Sequence, residues 1–289
     1  MSKHDQRSRL RTILAGPRCV AMATVFDPVS ARFAESLGYE AGLVGGSIVS
    51  HAVLGAPDVI VLTLTELAEQ VRRCTRVSQV PLVIDGDHGY GNALNVMRTV
   101  QELDYAGAAA VMIEDTLLPR PFGASDKPRL LPLDEALGKI KAAVLARESS
   151  DILVLGRTSA ASISGVPDAL ERLRAYEAAG VDALMVPGLR TREELEAISE
   201  GVRLPLVVGG AAEALWDRDY LASRGVRLSS IGHQPFNVAV QALYQAMKAV
   251  RDGTPAPHLA GVASSELMGS ATGANDYKLW TRRFLDPGE

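Results

Sequence analysis

Short, continuously apolar runs recur along the chain and alternate with longer segments in which apolar positions return every three or four residues. The runs are "VAMATVF" (20 to 26), "AGLVGG" (41 to 46), "PLVIDGD" (81 to 87), "AAVMIED" (109 to 115), "ILVLGRT" (152 to 158), "ALMVPG" (183 to 188), "LPLVVGG" (204 to 210) and "VRLSSIG" (226 to 232). Unbroken apolarity, rather than strict alternation, suits parallel strands covered on both faces. Between them, residues 65 to 77, 92 to 106, 133 to 148 and 166 to 180 carry helical spacing, as in Leu170, Leu173, Tyr176 and Ala179. Asp134 is expected to cap one helix, Pro167 to stand in the first turn of another and Gly180 to close it. Eight strands alternating with about eight helices predict an α/β fold of the (β/α)8 TIM-barrel type, with a doubly wound open sheet as the alternative.

After the eighth run, residues 234 to 253 read as a long helix, 254 to 261 as a proline-rich connection and 275 to 286 as a second amphipathic stretch carrying Trp280 and Phe284. A closed barrel has no need of that tail. The expectation is one barrel domain over 1–289 with 254–289 as a helical extension, which either covers the barrel bottom or packs on a neighbouring subunit.

Composition narrows the function without naming it. The chain has 289 residues, 47% hydrophobic and 22% charged, with a formal net charge of -4, an ordinary globular balance that does not advertise nucleic-acid binding. Arg72-Arg73 and Arg282-Arg283 fit solvated helix faces better than phosphate sites. Cys19 and Cys74 have no CxxC partner and read as buried apolar residues in a reducing compartment. The N-terminal stretch lacks a signal-like apolar run, and no segment approaches the roughly 18 apolar residues of a membrane span. A cytoplasmic location without a membrane partner is expected.

In a barrel of this kind the active site forms at the C-terminal ends of the strands. There the sequence places Asp27, Gly45-Gly46-Ser47, Asp85 with Asp87, Glu114 with Asp115, Arg157 and His233. A single aspartate at such a position would pass as a cap, but carboxylates converging from several strands repel one another unless a cation offsets them. An all-oxygen donor set favours Mg2+ or Mn2+.

An EF-hand starting at Asp85 fails, because its sixth and twelfth positions are Tyr90 and Val96. Gly89-Tyr90-Gly91 lacks the lysine of a P-loop, and neither G-x-S-x-G nor H-E-x-x-H is present. The glycines before Ser47 would leave backbone N–H groups open to a substrate oxygen, or simply permit a turn. Arg157 should emerge at the mouth, where its guanidinium either grips a carboxylate or pairs with a local acid. His233 is a candidate site residue or a satisfied loop histidine. His51, His88 and His258 have no comparable position.

The stretches "VFDPVSARFAESLGYEAGLVGGS" (25 to 47), "DGDHGYGN" (85 to 92), "IEDTLLPRPFG" (113 to 123) and "GRTSA" (156 to 160), in this order and spacing, resemble the isocitrate lyase / phosphoenolpyruvate mutase superfamily over nearly the full chain. The resemblance implies a (β/α)8 barrel whose eighth helix is exchanged between subunits, commonly in a dimer of dimers, and Mg2+ used to bind α-keto or α-hydroxy acids. It implies Asp85 as the direct metal ligand, Asp87 and Glu114 acting mainly through metal-bound water, Gly46 and Ser47 as carboxylate-binding backbone, and Arg157 as the substrate-binding arginine.

Residues 116 to 133 lack the catalytic cysteine that similar lyases of isocitrate and methylisocitrate carry. "EDTLLP" together with "GHQPF" looks most like the oxaloacetate decarboxylase branch, in which His233 would help bind substrate. Ser159 and Ala161 depart from the branch pattern, standing where relatives often carry an Asp or Asn and a Glu. The implied reaction is Mg-dependent decarboxylation of oxaloacetate to pyruvate and CO2 through a metal-stabilised enolate. Alternatives are another Mg-dependent C–C or C–P cleavage of a small α-keto acid, such as phosphonopyruvate hydrolysis, and a non-catalytic dicarboxylate-binding barrel.

Overall fold

The computed structural model describes residues 3–124, 126–147 and 150–286. Eight parallel strands close into a barrel in sequential order: β1 (Val20–Thr24), β2 (Ala41–Val44), β3 (Leu82–Asp85), β4 (Ala110–Glu114), β5 (Leu153–Arg157), β6 (Ala183–Pro187), β7 (Leu206–Gly209) and β8 (Val226–Ser230), with β8 pairing back to β1. Each falls within one of the eight apolar runs, and closure excludes the open sheet.

Thirteen α-helices are described. They are α1 (Lys3–Ala15), α2 (Pro28–Ser36), α3 (Gly46–Val49), α4 (Leu64–Thr75), α5 (Ala93–Ala106), α6 (Leu133–Ala146), α7 (Ala160–Ile163), α8 (Val166–Ala179), α9 (Arg192–Gly201), α10 (Arg218–Ser223), α11 (Gln234–Arg251), α12 (Ser265–Thr272) and α13 (Ala274–Phe284). Helix α8 starts with Pro167 in its first turn and ends at Gly180 in the left-handed conformation, as the sequence signals require. Asp134 is not the cap of α6. Pro132 occupies that position, and Asp134, two residues further on, accepts from the N–H of Glu135 instead. Glu148, the expected last residue of that helix, lies outside the described residues.

The two-residue period of the strands sorts the core into two layers. Along β4, Ala110 and Met112 face the barrel interior with Val83 and Leu155, whereas Val111 and Ile113 pack outward under the helices. The bottom is closed by α1, whose Leu10 and Leu14 join the interior cluster. The C-terminal tail does not cover the bottom; α12 packs on α2 instead. No residue of α11 is buried.

Candidate active site

Strand parity delivers the site. Asp85, Glu114 and Arg157 each end a strand in the inward phase, and the ladder sets Glu114 directly opposite Arg157. They open into a cavity of about 760 Å³ at the C-terminal mouth. One guanidinium nitrogen of Arg157 lies 2.5 Å from Asp85 Oδ2, and the other lies 3.3 Å from Glu114 Oε2. Burial works against the arginine's charge, yet the neighbouring Asp85 and Glu114 outweigh it and hold its pKa above the ordinary value. Thr116 donates to Glu114 at 2.9 Å. Burial, opposed by Arg157, pushes the Glu114 carboxyl upward.

Asp87 reaches the same cavity by a different route. The chain leaves β3, turns at Asp87 with φ 47°, and buries that side chain beside Asp85. Burial first, then the charges of Asp85 and Glu114, raise its pKa well above the carboxylate range. Gly46 leaves the room this requires, because a Cβ there would collide with the Asp87 carboxylate. Gly46 therefore acts against Asp87, while Gly45 and Ser47 line the cavity.

In the same cavity, Ser47 Oγ and His233 Nε2 share a hydrogen bond of 2.7 Å. A Cβ at Gly45 would stand 2.8 Å from the His233 ring, so that glycine admits the imidazole. Burial lowers the His233 pKa, with Asp85 pulling the other way. Its Nδ1 is buried without a hydrogen-bond partner among the described residues.

Several strand-end or motif residues do not belong to the site. Asp27 caps α2 through a reciprocal pair with Ser30. Asp115 falls in the outward phase, where it is bound by Arg172 at 3.1 Å and by the Tyr176 hydroxyl at 2.7 Å. His51 stacks on Phe236, with ring centroids 5.9 Å apart. His88 is buried against Tyr90, and burial lowers its pKa to about 4. His258 sits in an exposed 3-10 turn. Ser159 and Ala161 are absent from the cavity wall. Both cysteines are buried free thiols, and burial pushes Cys74 up to about 12.

Sequence reasoning missed Asp58. It stands on the cavity rim, and burial together with Asp85 raises its pKa. It follows Gly-Ala-Pro in the connection between α3 and α4, so no strand-end signal marks it. Arg120 also lines the mouth but is engaged by Asp126.

Around the cavity, four carboxylates (Asp58, Asp85, Asp87 and Glu114) face Arg157 alone once the Arg120–Asp126 pair is set aside. Among the described residues no three His, Cys, Asp or Glu side chains already form a ligand cage. The surplus negative charge and oxygen-only donors nevertheless fit a hard divalent cation that keeps several waters.

The family model for phosphoenolpyruvate phosphomutase matches residues 10–251. An oxaloacetate decarboxylase of Paraburkholderia xenovorans (strain LB400) is 64% identical over 98% of this chain and 95% of its own. A phosphonopyruvate hydrolase solved with oxalate and Mg2+ superposes with a TM-score of 0.86 at 28% identity, covering 99% of this chain and 100% of that one. An oxaloacetate acetylhydrolase bound to 3,3-difluorooxalacetate has the same fold, with a TM-score of 0.88 at 24% identity over 98% of both chains.

Proposed function

The chain belongs to the phosphoenolpyruvate phosphomutase family, and from that premise we propose that it catalyses metal-dependent decarboxylation of oxaloacetate to pyruvate and CO2. The observation that carries the reading is Arg157, a partly buried guanidinium in an acid-lined cavity that the Ser47–His233 pair also lines. The full-length likeness to the Paraburkholderia decarboxylase supports the choice of substrate.

Asp85, Asp87 and Glu114 would hold the cation, with Mg2+ preferred and Mn2+ as its substitute. When bound, the ion supplies Lewis-acid polarisation of the keto oxygen. Arg157, whose terminal nitrogens rest on Asp85 and Glu114, would bind a substrate carboxylate through its remaining N–H donors and fix the acid in the cavity. Burial favours the neutral imidazole of His233, which orients a substrate oxygen by a hydrogen bond. Ser47 holds the ring in place, and Gly45 lines the same cavity. As the C3–C4 bond breaks, its electrons pass to C2–C3 and onto the keto oxygen, where these preorganised groups oppose the growing charge. A proton added at C3 completes pyruvate.

The same reading includes a homo-oligomer, a dimer of dimers with α11 exchanged between subunits, supported by the unburied apolar side of that helix. It also includes a cytoplasmic location, supported by the two free thiols. Among the described residues no helix is long and apolar enough to cross a membrane.

The test is pyruvate release from oxaloacetate, with Mg2+, with Mn2+ and with EDTA, against the spontaneous metal-catalysed background and with phosphonopyruvate as a parallel substrate. Turnover above background that EDTA abolishes and Asp85→Ala removes is expected. Full activity in metal-free buffer would sink the scheme.

A further inference from the structure

Among the described residues, three that are not glycine hold a positive φ: Ile60 at 60°, Asp87 at 47° and Tyr90 at 60°. Two have local reasons. Aspartate tolerates the left-handed region, and Tyr90 stands between Gly89 and Gly91, which share the positive φ of that turn. Ile60 has no such reason. A β-branched side chain crowds its own backbone in this conformation, so the fold must hold it there against its preference. Yet Ile60 lines the cavity together with Asp58 and Val59, and its side chain is partly buried.

Strain of this kind persists where the surrounding structure enforces it, and sites that must present a side chain at a fixed angle are where it collects. We infer that Ile60 is a specificity-determining wall of the cavity, kept strained because that backbone places a branched apolar group beside the acid-lined pocket. The inference rests on the keto-acid reading of the cavity and adds a length limit to it. The polar side chains of the cavity answer to carboxylate and keto oxygens that longer 2-oxo acids also carry, so polar contacts alone do not reject a longer acid. An apolar wall at Ile60 does so sterically. Glycine there both accepts the left-handed backbone and removes the wall, whereas valine keeps the branch and most of the bulk.

The experiment measures binding of oxalate and of 2-oxoglutarate by calorimetry, in MgCl2, to the full-length wild type, Ile60→Gly and Ile60→Val, with thermal midpoints alongside. Oxalate affinity is expected to stay within about threefold, while 2-oxoglutarate tightens about tenfold in Ile60→Gly and changes little in Ile60→Val, the scale of an added methylene's worth of room. The Ile60→Gly midpoint should not fall. An unchanged ratio of the two affinities overturns the inference, as does a parallel loss of both ligands with a lower midpoint, which would make Ile60 a packing residue. Pyruvate release by the wild type is scored separately, so a failed decarboxylase reading and a failed wall give different results.

Discussion

Arg157 and Asp85 meet at 2.5 Å across the mouth of the barrel, with side chains 20% and 15% exposed. The second arm of the same guanidinium reaches toward Glu114. Arg157→Lys keeps the charge and loses this fork. The loss of one charge-assisted hydrogen bond, about 2 kcal/mol, should lower kcat/KM for oxaloacetate roughly 30-fold. Steady-state kinetics beside circular dichroism checks it; wild-type kinetics in the lysine variant would show that a point charge suffices.

Gly46→Ala asks whether the position of Asp87 matters. A Cβ would take the space of the Asp87 carboxylate, and Asp87 sits at φ 47° on a buried turn with little room to retreat. A displacement near 1 Å in such a site costs on the order of 100-fold in rate. Activity should therefore fall about that far with the thermal midpoint little changed. Equal losses in a metal-independent measure of folding would assign Gly46 to the scaffold alone.

Period and position made Asp85, Glu114 and Arg157 legible in the sequence, because each ends an apolar run whose inward phase can be counted. The same counting separates Glu114 from Asp115, one residue apart and on opposite faces. Asp27 misled for a related reason: a strand-end aspartate followed by proline also starts a helix, and here it caps one. Asp58 and Ile60 were not legible, since a loop carries no period and a backbone angle leaves no mark in composition. Nor was α1 at the barrel bottom. It is polar on average, and only Leu10 and Leu14 reveal which side is buried.

Tyr176 donates to a buried carboxylate behind the site, at 2.7 Å from Asp115 Oδ2, and is itself 0% exposed. Tyr176→Phe keeps the ring and removes the donor. Loss of a buried hydrogen bond to a charged group costs about 2 kcal/mol, so the urea midpoint should drop while kcat/KM stays within twofold. A variant that unfolds normally but loses turnover would place the Asp115 network in the chemistry rather than the scaffold.

Helix α11 poses the last question, because its exposed side carries Val240, Leu243, Tyr244, Met247 and Val250, each between 49% and 65% accessible. Its first turn is tied to the barrel by Phe236, edge-on to Phe26 at 5.0 Å, and the rest projects with no buried residue. Apolar area on this scale, worth about 25 cal/mol per Å² when covered, leaves a monomer with an unfilled face. Light scattering should give a mass above the 30.7 kDa of one chain. Paired Leu243→Asp and Met247→Asp substitutions should shift it toward the monomer, because each would set a charge inside the covered face. Activity should fall with assembly, since His233 is the N-cap residue of α11 and a helix left uncovered has less to hold that end in place. A wild type that remains monomeric at micromolar concentration would remove both the exchanged helix and this coupling.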